Sequence, residues 1–183
     1  MQYTLTLRIG GSNMKKFFCL FLVLSMMCSA ALAEVGLLDF STTDMDGNVV
    51  TQEIFSDYDL TVVNVWATWC GYCIEEMPDL ARLKTMLPEN VNFITLCEDA
   101  HLDMDLAREI LDASGANYQT LILNQQIYND FFYLVESFPT TFFLDNRGAI
   151  TSMPVIGVMD LNNPAQAYYD YTMNVLNTIK KRS

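Results

Sequence analysis

Apolar and polar positions alternate in two distinguishable rhythms along this chain, and together they predict an ordered series of elements. Leu60 to Trp66 is apolar and β-branched at nearly every position, which predicts a central strand covered on both faces. Val91 to Cys97 repeats that pattern, and Tyr118 to Leu123 does so more briefly. Between Gly71 and Leu87, Ile74, Met77, Leu80, Ala81, Leu83, Met86 and Leu87 follow helical spacing, with Pro78 expected to kink the helix. Leu102 to Ala113 predicts a second helix ended by Gly115, and Gln125 to Val135 a third.

Ahead of these lies Leu37 to Phe55, where Asp46-Gly47 separates two short extended runs and predicts a β-hairpin. Behind them, Thr140 to Leu144, a turn at Asn146-Arg147-Gly148, and Ala149 to Val155 predict a closing hairpin. Pro164 to Ile179 predicts a last helix. The middle of the chain therefore reads βαβαβα, which favours a parallel sheet between helices. With the closing hairpin added, the fold class is α/β, a mixed central sheet flanked by helices.

Composition agrees with one folded domain: of 183 residues, 51% are hydrophobic and 17% charged. The first 33 residues stand outside it. Lys15 and Lys16 precede an almost wholly apolar stretch, Phe17 to Met27, and Ala31-Leu32-Ala33 forms a small-x-small cleavage site. The expectation is a signal peptide over residues 1–33 and a domain over 34–183, in an exported protein. An uncleaved anchor is the alternative, although the stretch is short beside the roughly 20 apolar residues of a span. Met14-Lys15-Lys16 also reads as a translation start, which would make residues 1–13 an upstream extension.

Cleavage would remove Arg8, Lys15 and Lys16 and no acid, taking the formal charge from −12 to −15. Such a surface repels nucleic acid and anionic lipid headgroups, and solubility suffices to explain it. Cleavage also reduces five cysteines to Cys70, Cys73 and Cys97. A domain of about 150 residues does not need disulfide staples to hold a core, so two cysteines three positions apart call for a chemical explanation.

Cys70 falls after a predicted buried strand and at the start of a predicted helix. Unpaired backbone N–H groups and the helix dipole favour a thiolate there, which makes the sulfur a nucleophile. Cys73 sits one turn on, close enough to form a disulfide with Cys70 or to resolve a mixed disulfide made on it.

The motif Trp66-Ala67-Thr68-Trp69-Cys70-Gly71-Tyr72-Cys73, followed by Glu75-Glu76-Met77-Pro78, resembles the TlpA/ResA-like thiol-disulfide oxidoreductases of the thioredoxin superfamily. Phe138-Pro139-Thr140-Thr141-Phe142-Phe143-Leu144-Asp145 is similar to the same family's second signature, and the likeness spans most of residues 37–180. The resemblance implies a thioredoxin-like fold with an N-terminal β-hairpin and an inserted αβ element. It implies a catalytic Cys70–Cys73 pair, no cofactor beyond that redox-active disulfide, and no metal. Asn64 stands where thioredoxin proper has a buried acid, so the proton-handling role passes by resemblance to Glu76, on the same helical face as Cys73. The other reading of Glu75 and Glu76 is as acids that complement the helix dipole.

The resemblance also implies a cis bond at Pro139, beside the cysteines, and a substrate lying against Trp69, Gly71, Tyr72, Phe138, Pro139 and Thr140. The other reading of Pro139 is a proline opening a strand. Expected partners are thiols or disulfides of exported proteins, apocytochromes among them, with a membrane thiol-disulfide electron donor and a monomeric enzyme. Tyr72 departs from the family's commoner proline, and Gly-Tyr also occurs between the cysteines of DsbC-type isomerases, so reduction, oxidation and isomerisation all stay open.

Trp66 is expected in the core and Trp69 on the substrate surface. Cys97 reads as buried filler, with an extra thiol near the pair as the alternative. Cys70, Cys73, Cys97 and His101 also spell a CxxC…CxxxH zinc pattern, and a thiol peroxidase is a further rival. The aromatic stretch Tyr128 to Phe138 reads as core or groove.

Overall fold

A computed structural model describes residues 34–182. The expected signal segment, residues 1–33, lies outside them. The hairpin pairs β1 (Ser41–Thr43) with β2 (Val49–Thr51), antiparallel, with Gly47 at φ 85° in its turn. The main sheet is built from β3 (Leu60–Trp66), β4 (Val91–Cys97), β5 (Gln119–Ile122), β6 (Thr140–Leu144) and β7 (Val155–Ile156), in the order β5-β4-β3-β6-β7. β3, β4 and β5 are parallel, whereas β6 is antiparallel to β3 and β7 to β6.

The largely apolar run of β3, interrupted by Thr61 and Asn64, follows from its place: it has a strand on each side and helices above and below, and all seven residues are buried. Leu60, Val62 and Trp66 point to one face, with Met77, Leu80 and Leu83 of α1 (Gly71–Met86) and Tyr168, Val175 and Leu176 of α4 (Pro164–Lys180). Ala107 and Leu111 of α2 (Met104–Ala113) complete that layer. Val63 and Val65 point to the other face, against Ile127 of α3 (Gln125–Asp130), Phe131, Phe40 and Phe55. Each large side chain removed from water in this way contributes about 1.5–3 kcal/mol before entropy is counted.

Caps set most boundaries. The Asp103 carboxylate accepts from the Leu106 N–H, so α2 begins at Met104, two residues later than the apolar spacing predicts. Asn124 accepts from the Ile127 N–H at 3.0 Å and opens α3. That helix is shorter than the predicted Gln125–Val135. It stops at Phe131, whose buried ring packs 4.7 Å from that of Phe142, and the chain continues as a 3₁₀ turn, Phe132–Leu134. The closing hairpin also departs from expectation. Ala149 and Ile150 make single bridges to Gly36 and Leu144, and only Val155–Ile156 forms a strand. Pro154, which has no N–H to give a ladder, intervenes. Among the described residues no helix is long and apolar enough to cross a membrane.

Candidate active site

β3 delivers the chain to a short loop, Ala67 to Trp69, and α1 starts directly after Cys70. Cys70 is the helix's N-cap: its sulfur accepts the Cys73 N–H at 3.2 Å, and its own N–H donates to the Ala67 carbonyl at 3.0 Å. The sulfur thus occupies the place where a cap oxygen usually satisfies an unpaired helix donor, and where the dipole favours negative charge. Cys70 and Cys73 are joined as a disulfide, with their Cα atoms 5.3 Å apart. Cys70 is 6% exposed and Cys73 1%, so an incoming reagent meets the Cys70 sulfur first.

Trp69 and Tyr72 are exposed on either side of Cys70, whereas Trp66 is wholly buried with its indole N–H on Thr95. Gly71, the first residue of α1, is exposed and has open space where a side chain would begin. β6 runs antiparallel to β3 with Thr140 opposite Val65, which brings Pro139 alongside the end of β3. The Phe138–Pro139 bond is cis, and the Pro139 carbonyl accepts from the Gly157 N–H at 2.8 Å. The Phe138 ring meets that of Trp69 edge-on at 5.4 Å. Trp69, Gly71 and Tyr72 thus stand exposed beside the disulfide, with Phe138 half-buried against Trp69 and Pro139 buried. Thr140 does not reach the surface: it is buried, and its hydroxyl donates to the Ser137 carbonyl.

Glu76 turns inward from α1 and is only 2% exposed, so it does not serve as a solvated acid at the helix start; Glu75 is the exposed one. Asn64 Nδ2 donates to one carboxylate oxygen at 3.0 Å and the Tyr168 hydroxyl donates to the other at 3.1 Å. Asn64 also donates to Thr141 Oγ1, which ties the carboxylate to β6. Burial is the largest influence and pushes the Glu76 carboxyl from its ordinary 4.5 up to about 7; the two donors oppose it, and Asp79 adds to it. A carboxyl with that affinity exchanges its proton near neutrality. Burial and the nearby Glu76 charge push the Tyr168 phenol up in turn, so it stays a donor.

Two members of this arrangement, Tyr168 and Asp99, lie outside the motifs that mark the cysteine pair in the sequence. Tyr168 lies 92 residues from its partner Glu76. Asp99 accepts from the Thr68 N–H at 2.9 Å and the Thr68 hydroxyl at 2.5 Å, pinning the loop before Cys70 to the end of β4. An acid two residues beyond a strand's apolar run is the one faint hint. Cys97 is a free, buried thiol; its sulfur faces Asp99 Oδ1 at 3.5 Å, and burial together with that charge pushes its pKa up. His101 is exposed. Among the described residues no group of three or more His, Cys, Asp or Glu side chains is placed to hold a metal.

Known proteins agree with this architecture. The chain is 30% identical over 95 residues to a thioredoxin-like protein, YneN, of Bacillus subtilis, covering 51% of this chain and 55% of that protein. The match thus spans about half the relative's length. A thiol:disulfide interchange protein of the thioredoxin family from Chlorobium tepidum superposes with a TM-score of 0.65 at 18% identity, covering 78% of this chain and 97% of that one. A secreted Mycobacterium tuberculosis disulfide oxidoreductase, homologous to Escherichia coli DsbE, gives 0.59 at 20% identity, covering 75% and 96%. These likenesses establish the thioredoxin-like fold. Residues 36–153, a stretch running from before the hairpin through the cysteine pair to beyond Pro139, match the model of the AhpC/TSA family, and the chain belongs to that family.

Proposed function

We propose that the protein is an extracytoplasmic thiol-disulfide oxidoreductase of the TlpA/ResA-like type, which reduces disulfides of exported proteins. One observation carries this reading: the cysteine pair closes as a disulfide at the start of α1, and the less buried sulfur, Cys70, caps the helix. In the dithiol form the Cys70 thiolate attacks a substrate disulfide, forming a mixed disulfide and releasing the substrate's first thiolate. Cys73 gives up its proton, attacks the Cys70 sulfur, and releases the second substrate thiolate. Two electrons have then passed to the substrate, and the pair is a disulfide again. Glu76 accepts and returns the Cys73 proton, with Asn64 and Tyr168 holding its two oxygens.

The substrate chain lies against Trp69, Tyr72, Phe138 and Pro139, a reading supported by the ring contact beside the disulfide. A membrane thiol-disulfide donor restores the dithiol, and apocytochromes fit the substrate class. Export is supported by the targeting pattern in residues 1–33 and by the likeness to a secreted oxidoreductase. Insulin reduction and the pair's potential test the proposal together. The expected results are activity lost in Cys70→Ser and a potential nearer the about −270 mV of a reductant than the about −120 mV of a strong oxidant. Full activity in Cys70→Ser would refute it, and an oxidising potential would transfer the site to oxidation or isomerisation. Peroxide consumption as fast as disulfide reduction would favour the peroxidase reading.

A further inference from the structure

An aromatic path leads away from the disulfide. Trp69, next to Cys70, meets Phe138 at 5.4 Å; Phe138 meets Phe132 at 6.1 Å; and Phe132 stacks on Tyr128 at 5.5 Å with the rings 22° from parallel. Tyr128 forms one wall of an open cleft of about 740 Å³ between the N-terminal hairpin and the end of β5. The lining also includes Glu98 and His101, close in the chain to Asp99, the residue that holds Thr68. The cleft thus shares Tyr128 with the aromatic path, and its Glu98 adjoins the residue that pins the loop before Cys70. Val49 and Tyr128 line it and are 72% and 52% exposed. Large apolar side chains standing in water at a concave surface mark a binding site more often than chance exposure.

Charge narrows the occupant. Among the described residues Glu98 is the carboxylate in the lining, neither Lys nor Arg lines the cleft, His101 lies with Glu98 in that lining, and the chain carries a formal charge of −12. A segment with basic residues complements this surface, and an acidic one is repelled. Distance narrows it further: the three ring-to-ring steps carry the surface at most about 17 Å from Trp69, the reach of about five extended residues.

We propose that the cleft is a second subsite for the polypeptide substrate, taking a large apolar side chain three to five residues from the cysteine exchanged at Cys70, with a basic residue beside it. This rests on the oxidoreductase reading and adds to it a rule for which cysteines the enzyme selects. The apolar side chain enters between Tyr128 and Val49, the basic residue meets Glu98, and the intervening backbone passes over Phe138 and Phe132.

The test uses the full-length protein, reduced beforehand and freed of reductant, in single turnovers with peptides carrying one cysteine as a mixed disulfide with glutathione. A phenylalanine followed by lysine is placed two, four or eight residues from that cysteine. The expected result is a rate constant per unit concentration about tenfold higher for the four-residue spacing, a factor equivalent to 1.4 kcal/mol. Tyr128→Ala should flatten the spacing preference, and replacing the peptide's lysine by glutamate should reverse its salt dependence. Equal rates at all spacings, or a preference that survives Tyr128→Ala, overturn the proposal. Reduction of a small aromatic disulfide by the wild-type protein runs in parallel. If that fails, the oxidoreductase reading itself is wrong; if it proceeds while the spacings are indistinguishable, only the cleft assignment is.

Discussion

Replacing Glu76 by glutamine should make the oxidised protein more stable at alkaline pH, and the size of the gain follows from the burial of the carboxyl. In the unfolded chain this group loses its proton near its ordinary 4.5, and in the fold near 7. Between those values the native state holds one proton more than the unfolded state, so stability falls as pH rises, by about 1.4 kcal/mol per pH unit. The full penalty, about 3 kcal/mol, is present above pH 7 and absent below about 4.5. Glutamine removes the titration but keeps both contacts: its carbonyl accepts from Asn64 and its amide donates to the Tyr168 oxygen. Urea unfolding of wild type and Glu76→Gln, both as the Cys70–Cys73 disulfide, should give midpoints that coincide near pH 4.5 and separate by about 1.5 M at pH 8, for a slope of about 2 kcal/mol per molar. A midpoint difference that stays constant from pH 4.5 to 8 would refute the account of the buried carboxyl. The same variant should slow turnover, since the proton of Cys73 then has no acceptor.

Asp99→Ala should destabilise the fold by roughly 2–3 kcal/mol through the lost charge-assisted bonds to Thr68, and Thr68→Val should not add its full cost on top; fully additive losses in urea would show that the two residues do not act as a pair. Cys97, buried and with its thiol pushed up, should resist iodoacetamide at pH 8 in the reduced native protein while Cys70 reacts, as read by peptide mass; rapid labelling of Cys97 without denaturant, or a disulfide involving it, would contradict its placement.

Elements with a strong local signature were legible in the chain. β3 and β4 run over the residues that their apolar runs mark, Leu60–Trp66 and Val91–Cys97, because a strand buried on both faces leaves little room for polar side chains. The start of α1 and the position of the cysteine pair were legible too, since a helix start beside a buried strand is a short-range pattern. Local spacing failed where distant groups intervened. Phe131 ends α3 because its ring is drawn against Phe142 on β6, and the predicted strand from Ala149 shrinks to two residues as its bridges go to Gly36 and Leu144.

The candidate site divides in the same way. Sequence by itself determined which two sulfurs form the disulfide, because that pairing depends on a spacing of three at a helix end. Only the tertiary structure decided what surrounds them: Tyr168 and Asn64 on Glu76, Asp99 on Thr68, and a cleft reached over four aromatic rings. Those partners are separated by 12 to 92 residues, and the proton affinity of Glu76 comes from the water excluded around it, which no run of neighbouring residues encodes.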